Sequence, residues 1–417
     1  MLMKRIAASA ALMLGAVGAQ AADTTDMLPF ALMGGTPSLD VRLRSEHVDN
    51  ASATQTRDSD ATTVRARLGF TSGKWNDFDL GVEYEGVTAF DKFDYNNMPA
   101  GLPGSNGQTN RPVIADSTGS ELNQAWVRYT GIPMTTVQAG REKLLLDNQR
   151  WVGNVGWRQN EQTYDGVVLV NKGLPGTEAT YAYFHNVNSV FFTNFPVKAN
   201  LANVSWSPGA AFKGVAYSYW LDFVAANTGN RQDGVTTGLR LTGAPALNEA
   251  QSVKLLYTVE FARQREHEEA AATVDDDYLL GELGLGLGAT QFKLGYEVLG
   301  SSDGLYAVQT PLATLHAHDG WADMFLTTPA TGLRDAYASL GATLAGVALV
   351  AAAHRFSADF GSADYGDEID ASAGYGFNRQ LSLLLKYASY NASAIPAASF
   401  AGNVDTDKGW LQLEYKF

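Results

Sequence analysis

Along most of the chain, apolar and polar residues alternate with a period of two. In Gln251–Phe261, Val253, Leu255, Tyr257, Val259 and Phe261 oppose Lys254, Thr258 and Glu260. In Thr290–Leu299, Phe292, Leu294, Tyr296 and Val298 oppose Lys293 and Glu297, and in Phe212–Phe223, Val215, Tyr217, Tyr219, Leu221 and Phe223 oppose Gly214, Ser218 and Asp222. A period of two is the pleat of a strand, and almost no segment sustains a helical period. The rhythm predicts eighteen strands: 38–48, 62–73, 77–89, 120–131, 135–142, 162–171, 177–188, 199–207, 212–224, 234–243, 250–265, 276–287, 290–301, 333–343, 346–358, 365–376, 380–391 and 406–417.

The connections alternate between two kinds. Eight are short, at Gly73–Asn76, Ile132–Met134, Lys172–Gly176, Pro208–Ala211, Ala244–Glu249, Gly288–Ala289, Ala345 and Asn378. The others are longer, above all Phe90–Gly119, Lys143–Glu161 and Ser302–Gly332. Short on one side and long on the other is the layout of an all-β, transmembrane antiparallel barrel with periplasmic turns and extracellular loops. Closure removes the sheet edges that lipid cannot satisfy. In the last strand, Leu411, Leu413, Tyr415 and Phe417 share a face, and the terminal aromatic resembles the signal read by the barrel assembly machinery.

Residues 1–21 read as a signal peptide: Lys4 and Arg5, an apolar run Ile6–Gly18, then the small-x-small site Ala19-Gln20-Ala21. Residues 22–417 then form one barrel in the outer membrane of a Gram-negative bacterium. Gly (42) and the aromatic content (11%) are high for a chain whose strands are this short, as expected of such a barrel. No run of 18 apolar residues follows the leader, so no transmembrane helix is expected. There is no cysteine, hence no disulfide or thiolate metal site. The net charge of −14 argues against nucleic acid.

A barrel of this size leaves an aqueous channel unless loops fold into it. Taking apolar residues as lipid-facing points Arg42, Arg44, Arg65, Arg67, Arg128, Arg240, Lys254, Lys293, Lys386 and Lys416 into the lumen, together with acids such as Asp79, Glu83, Glu85, Asp222, Glu260, Glu282, Glu297, Glu368 and Glu414. Basic linings suit anions, although Arg65 and Arg67 could also pair with Glu83 and Glu85. The stretch GREKLLLDNQRWVGNVGWRQNEQTYDGVVLV (140–170) interleaves Arg141, Lys143, Arg150 and Arg158 with Trp151 and Trp157. Guanidinium forks beside flat rings suit carboxylates and sugar faces. Because Trp151, Val152, Val155 and Trp157 disfavour a solvated loop, residues 143–161 are expected to fold inward and narrow the pore. The strand phase breaks near Gly140, so the faces taken by Arg141 and Lys143 stay open. The six histidines form no triad or zincin motif, and His316 and His318 read as a solvated pair. No catalytic residue, metal site or cofactor is expected, and the chain is read as no enzyme.

The same stretch, with VRLRSEHVDN, TVRARLGF, DSTGSELNQAWVRYTGIP, TYAYFHNVN and TTGLRLTGA, resembles the alginate-export family of outer-membrane β-barrels. The resemblance spans about Val41 to Ala244. It implies a monomeric passive channel for an anionic polysaccharide or oligosaccharide such as a polyuronate, embedded among outer-membrane lipids and lipopolysaccharide. The inward-facing residues then make the expected pathway Arg42, Arg44, Arg65, Arg67, Arg128, Arg141, Arg150, Arg158, Arg240 and Lys254, with Trp151 and Trp157 as stacking surfaces. The alternative is an uptake porin for small organic acids or oligosaccharides on the same barrel.

Overall fold

The computed structural model describes residues 34–50, 52, 54–224, 233–266, 274–393, 400 and 403–417. The leader expected at 1–21 lies outside the described residues. Eighteen antiparallel strands run in chain order around a closed ring: β1 (Thr36–Asn50), β2 (Ser59–Thr71), β3 (Phe78–Ala89), β4 (Gly119–Tyr129), β5 (Thr135–Glu142), β6 (Thr163–Asn171), β7 (Thr177–Asn188), β8 (Asn194–Gly209), β9 (Phe212–Phe223), β10 (Gly234–Gly243), β11 (Val253–Arg265), β12 (Asp275–Leu287), β13 (Thr290–Leu299), β14 (Leu333–Leu344), β15 (Val347–Ser357), β16 (Asp364–Gly376), β17 (Leu381–Ala392) and β18 (Thr406–Lys416). β1 pairs with both β2 and β18, which closes the ring. The seam continues past the last strand, where Leu39 and Phe417 exchange backbone hydrogen bonds of 3.0 and 2.8 Å.

The outer face is apolar. Val259, Phe261, Leu283, Phe292, Leu294, Tyr296, Leu411, Leu413 and Tyr415 are all exposed there, as the alternation predicts for a wall that meets lipid instead of water. The ends of the strands match the sequence pattern closely, with one exception. β8 begins at Asn194, five residues before the expected 199. Pro196 made that segment read as loop, but it faces Asn186 at a bulge in β7, one of the few places where a sheet tolerates proline.

A second departure is larger. On β9 the residues Val215, Tyr217, Tyr219 and Phe223 face the lumen, while Trp220 faces outward and Asp222 pairs with Lys198 on the exposed side. The expected orientation of this strand, and of Asp222, is therefore reversed. The cause is what lies inside. Ala182 and Phe184 of β7, Phe195, Val197, Ala199 and Leu201 of β8, and these β9 residues form a buried apolar wall. Leu144, Trp151 and Val152 from the β5–β6 loop pack on it. An apolar residue can therefore face inward wherever an apolar loop covers it, and there hydropathy alone cannot tell lumen from lipid.

Candidate functional site

Three long loops, residues 90–118, 143–162 and 300–332, enter the barrel and meet. The central one follows β5, which pairs with β6 without a break as far as Glu142. Gly140 sits at φ +132°, and a Cβ there would collide with the Ala125 carbonyl oxygen, so glycine is required for the bend. Beyond it the loop crosses the lumen. At one end, the carbonyl oxygens of Gly156, Trp157 and Arg158 accept hydrogen bonds from Arg42 Nη1 on β1, at 3.1, 3.2 and 3.2 Å. Arg44 donates to the Trp157 carbonyl as well and lies over its ring, 4.2 Å from the centroid. At the other end, Trp151 donates its indole N–H to Glu260 on β11 at 2.9 Å. Arg150 pairs with Glu297 on β13 at 2.8 Å and with Asp319 at 2.9 Å. β1 and β11 lie eight strands apart by the shorter way round an eighteen-strand ring, so the loop spans almost the full bore.

The walls it joins carry opposite charge. β1, β2, β17 and β18 direct Arg42, Arg44, Arg65, Arg67, Lys386, Lys408 and Lys416 inward, against Asp40, Glu46 and Glu414. β11 to β16 direct Glu260, Glu282, Glu297, Asp335, Glu368 and Asp370 inward, against Lys254, Lys293 and His354. The loop matches this division. It presents Glu161 and carbonyl dipoles to the basic wall and Arg150 to the acidic one. Burial alone would lower the pKa of Arg150, but Asp319 and Glu297 outweigh it and hold the guanidinium charged. Burial would likewise raise Glu161, but Arg67 and Lys143 outweigh it and hold its carboxyl below the usual range.

The wall arginines are paired. Arg42 meets Glu414 at 2.7 Å, Arg44 meets Asp116 at 3.4 Å, and Arg67 meets Glu85 and Glu161. Arg65 turns to Asp40 and Glu414, at 2.6 and 3.2 Å, instead of the expected Glu83 or Glu85, and Lys143 takes Glu83. Arg128 pairs with Asp79 and Arg240 with Glu260. Lys254 is exposed, at the end of β11 that adjoins the short turn. Arg141 corrects an expectation. It sits on the outward face with Ala139, Val167 and Leu169, pairs with Asp165 at 2.7 Å, and has no part in the lumen wall.

The loop at 300–332 locks the crossing in place. Gly153 N–H donates to Leu312 O at 2.8 Å, Thr314 N–H to Gln149 O at 3.0 Å, and Tyr164 to the Gly153 carbonyl at 2.7 Å. Its far end is capped by the acidic wall, with Ala322 N–H donating to Glu368 at 2.7 Å and Trp321 N–H to Asp370 at 3.3 Å. Asp323 then gathers Arg158 at 2.9 Å, Lys408 at 3.0 Å and His316 at 2.7 Å. His316 is therefore no solvated residue. It is buried, bonded through Nδ1 to Asp323 and through Nε2 to Lys386, and stacked on Trp157 at 4.5 Å. Burial pushes its pKa down to about 3, so the ring is neutral and Nε2 accepts from the lysine. Lys408 and Trp410 were legible in the terminal strand, because they alternate with Leu411 and Leu413. Trp321 and Asp323 were not, since a loop has no period to place them.

Against known proteins, the geometry has clear counterparts. The chain resembles the alginate export family, whose model matches residues 36–182. That span holds β1 to β6 and the loop that crosses the bore. Among solved structures, OccAB2 of Acinetobacter baumannii superposes with a TM-score of 0.72 at 16% identity, covering 93% of this chain and 99% of its own. OccK9 (OpdG) of Pseudomonas aeruginosa gives 0.71 at 16% identity with the same coverages. Pseudomonas aeruginosa OpdK, solved with vanillate, gives 0.69 at 15% identity, again over 93% and 99%. No curated protein matches the chain. The protein is an outer-membrane β-barrel channel.

Proposed function

We propose that the channel passes carboxylated sugars, of oligosaccharide length or shorter, by passive diffusion. The observation that carries this reading is the place where the basic wall meets Trp157, Trp321 and Trp410. There Arg44 and Lys386 lie over the indole faces. Cations for a carboxylate beside flat rings for the C–H face of a sugar are what a uronate requires. The paired arginines serve this transit, because a solute must leave as readily as it enters, and half-neutralised charges bind weakly at many points. The pathway on this reading is Arg42, Arg44, Arg65 and Arg67 on the basic wall, Arg150, Trp151, Trp157 and Arg158 in the loop, and Arg128, Arg240 and Lys254 along the remaining wall.

The interlocked loops favour short solutes over a long polymer, because a chain of many sugars needs a wider and steadier opening. The short turns supply no plug from the opposite side, which fits uptake better than gated secretion. Export of a polyuronate is the second reading, supported by the similarity to the alginate export family. The structure of OpdK with vanillate supports a variant in which the solute is a small aromatic acid. Purified protein in planar bilayers separates these readings. Reversal potentials in salt gradients should show anion preference, and uronate oligosaccharides should block the current more than neutral ones of equal length. A cation-selective channel indifferent to uronates would refute the proposal.

A further inference from the structure

Toward the short turns, the wall that anchors Trp151 and Arg150 changes sign. Its inward positions there carry Lys213 on β9, Lys254 on β11 and Lys293 on β13, with Glu282 on β12 beside them. The registers keep these residues on the lumen side. Lys213 pairs across to Thr242, Thr242 to Thr258 and Thr258 to Glu282, while Lys293 faces Gly284 and Lys254 faces Gly286. A cavity of about 340 Å³ opens here, lined by Lys213, Thr242, Thr258, Glu282, Gln291 and Lys293 and by residues of the short β8–β9 and β10–β11 turns. Glycine makes the room. β12 puts Gly284 and Gly286 at the inward positions between Lys254 on β11 and Lys293 on β13, and a Cβ on Gly286 would meet nothing nearer than Lys254 Cβ, at 3.6 Å.

The three ammonium groups have donors to spare. Each lysine carries three. Lys213 reaches Asp147 only at 3.5 Å and Lys293 reaches Glu282 only at 3.4 Å, against roughly 2.7–2.9 Å for a charge-assisted bond. Asp147 also accepts from Asn203 at 2.7 Å, and Glu282 Oε1 from Tyr337 at 3.1 Å. Lys254 and the Gln291 amide are exposed and have no side-chain partner among the described residues. Around the open cavity there is thus a surplus of donors, nearly all of them cationic, and Glu282 keeps Oε2 as an acceptor.

We infer that this cavity binds a phosphate group, as inorganic phosphate or a phosphomonoester, on the periplasmic side of the constriction. The kind of cation decides the class of ligand. The basic wall across the bore is led by Arg42, Arg44, Arg65 and Arg67, whose planar forks match the two coplanar oxygens of a carboxylate. Here every cation is a lysine, a point charge on a flexible stem that imposes no plane and converges readily on a tetrahedral anion. A phosphomonoester carries about −1.5 to −2 charges near neutral pH and three acceptor oxygens, so it can engage several ammonium groups at once. A carboxylate brings a single charge and two oxygens. When the phosphate keeps a proton, its P–OH donates to Glu282 Oε2. The site depends on the channel and not on which solute crosses the constriction. A phosphate seated there fills part of the exit and cancels the local positive charge, so it obstructs other anions arriving through the bore.

The test is chloride current through single wild-type channels in planar bilayers, with a second anion added on the side of the short turns. Inorganic phosphate should lower the current at a half-blocking concentration well below that of acetate or glucuronate. Lys254→Gln and Lys293→Gln should each raise that concentration by about tenfold, the loss of one charged contact, and Lys293→Arg should recover part of the difference. Glycerol phosphate separates the two sources. Block equal to that of inorganic phosphate assigns the site to the phosphomonoester group, and no block assigns it to free phosphate. Should the variants fail to insert, calorimetry on the folded wild type in detergent decides, since phosphate should show saturable heat where acetate shows none. Block by acetate or glucuronate at the concentration that suffices for phosphate, unchanged half-blocking concentrations in both glutamine variants, or no saturable heat with phosphate overturns the site.

Discussion

Arg150 Nε lies 2.8 Å from a carboxylate oxygen of Glu297, and neither side chain is accessible to solvent to any useful extent. This contact, with Asp319 at 2.9 Å, fixes the end of the crossing loop that faces the acidic wall. Removing one partner of a buried pair typically costs about 3–5 kcal/mol, because the other charge is left stranded. Arg150→Met should therefore lower the denaturant midpoint of the folded barrel and make its conductance noisy, as the loop loses that anchor. Adding Glu297→Gln should recover part of the loss. A midpoint and current trace identical to the wild type in Arg150→Met would show that the loop is held from its other end alone.

Replacing Asp147–Arg158 with a short Gly/Ser linker should raise single-channel conductance and weaken anion preference together. The segment removed carries Arg150 and Arg158 and every contact made by Trp151 and Trp157. Wall arginines lose their loop acceptors, since the carbonyls of Gly156, Trp157 and Arg158 leave with it. Conductance unchanged in a folded variant would place the narrowest point in the 90–118 or 300–332 loop.

His316 predicts a pH dependence of stability. An unfolded histidine titrates near 6.5, whereas burial lowers His316 to about 3. Between those values the unfolded chain binds a proton that the folded chain refuses. Stability should therefore be full above about pH 6.5 and fall as the pH drops toward 3. His316→Gln keeps a hydrogen-bonding side chain but removes the titration, so its stability should fall less steeply over that window. Equal slopes would mean that the ring takes up a proton in the folded protein.

Deleting Phe417 should reduce the yield of heat-modifiable, folded protein in the outer membrane. The residue directly follows the strand that closes the ring, its backbone bonds to Leu39 across the seam, and it is 67% exposed. Wild-type yields would remove it from the assembly signal.

The strands were legible because lipid outside and water inside impose the same period of two on the sequence. Leu411, Leu413 and Tyr415 show it at full strength, and so do Leu279 and Leu283. Legibility ended where a loop replaced water inside the barrel. Tyr217 and Tyr219 look lipid-facing by composition, yet both are buried inside, Tyr217 against Trp151 and Tyr219 stacked on Tyr217. Arg141 was ambiguous for a different reason, since the glycine before it hides the phase in the sequence, whereas β5 keeps its register through Gly140 and leaves Arg141 on the face of Ala139, paired with Asp165. The inward folding of the 143–161 loop could be read from its tryptophans. Its partners could not, because Glu260, Glu297 and Asp323 come from strands and loops more than a hundred residues away in sequence.

That separation fixes an order of events during folding. The crossing loop leaves β5, but its anchors are on β1, β11 and β13, and those of its neighbour reach β16 and β18. Short of the whole run from β1 to β13, no set of consecutive strands offers both ends of the bridge. Closing so long a stretch of chain is entropically slow, and the contacts that reward it exist only once the ring is joined. The bridge must therefore settle last, so a newly inserted barrel passes through a wide, unfiltered stage before the narrow one. Its first moments in the membrane should leak larger solutes than the mature protein ever admits.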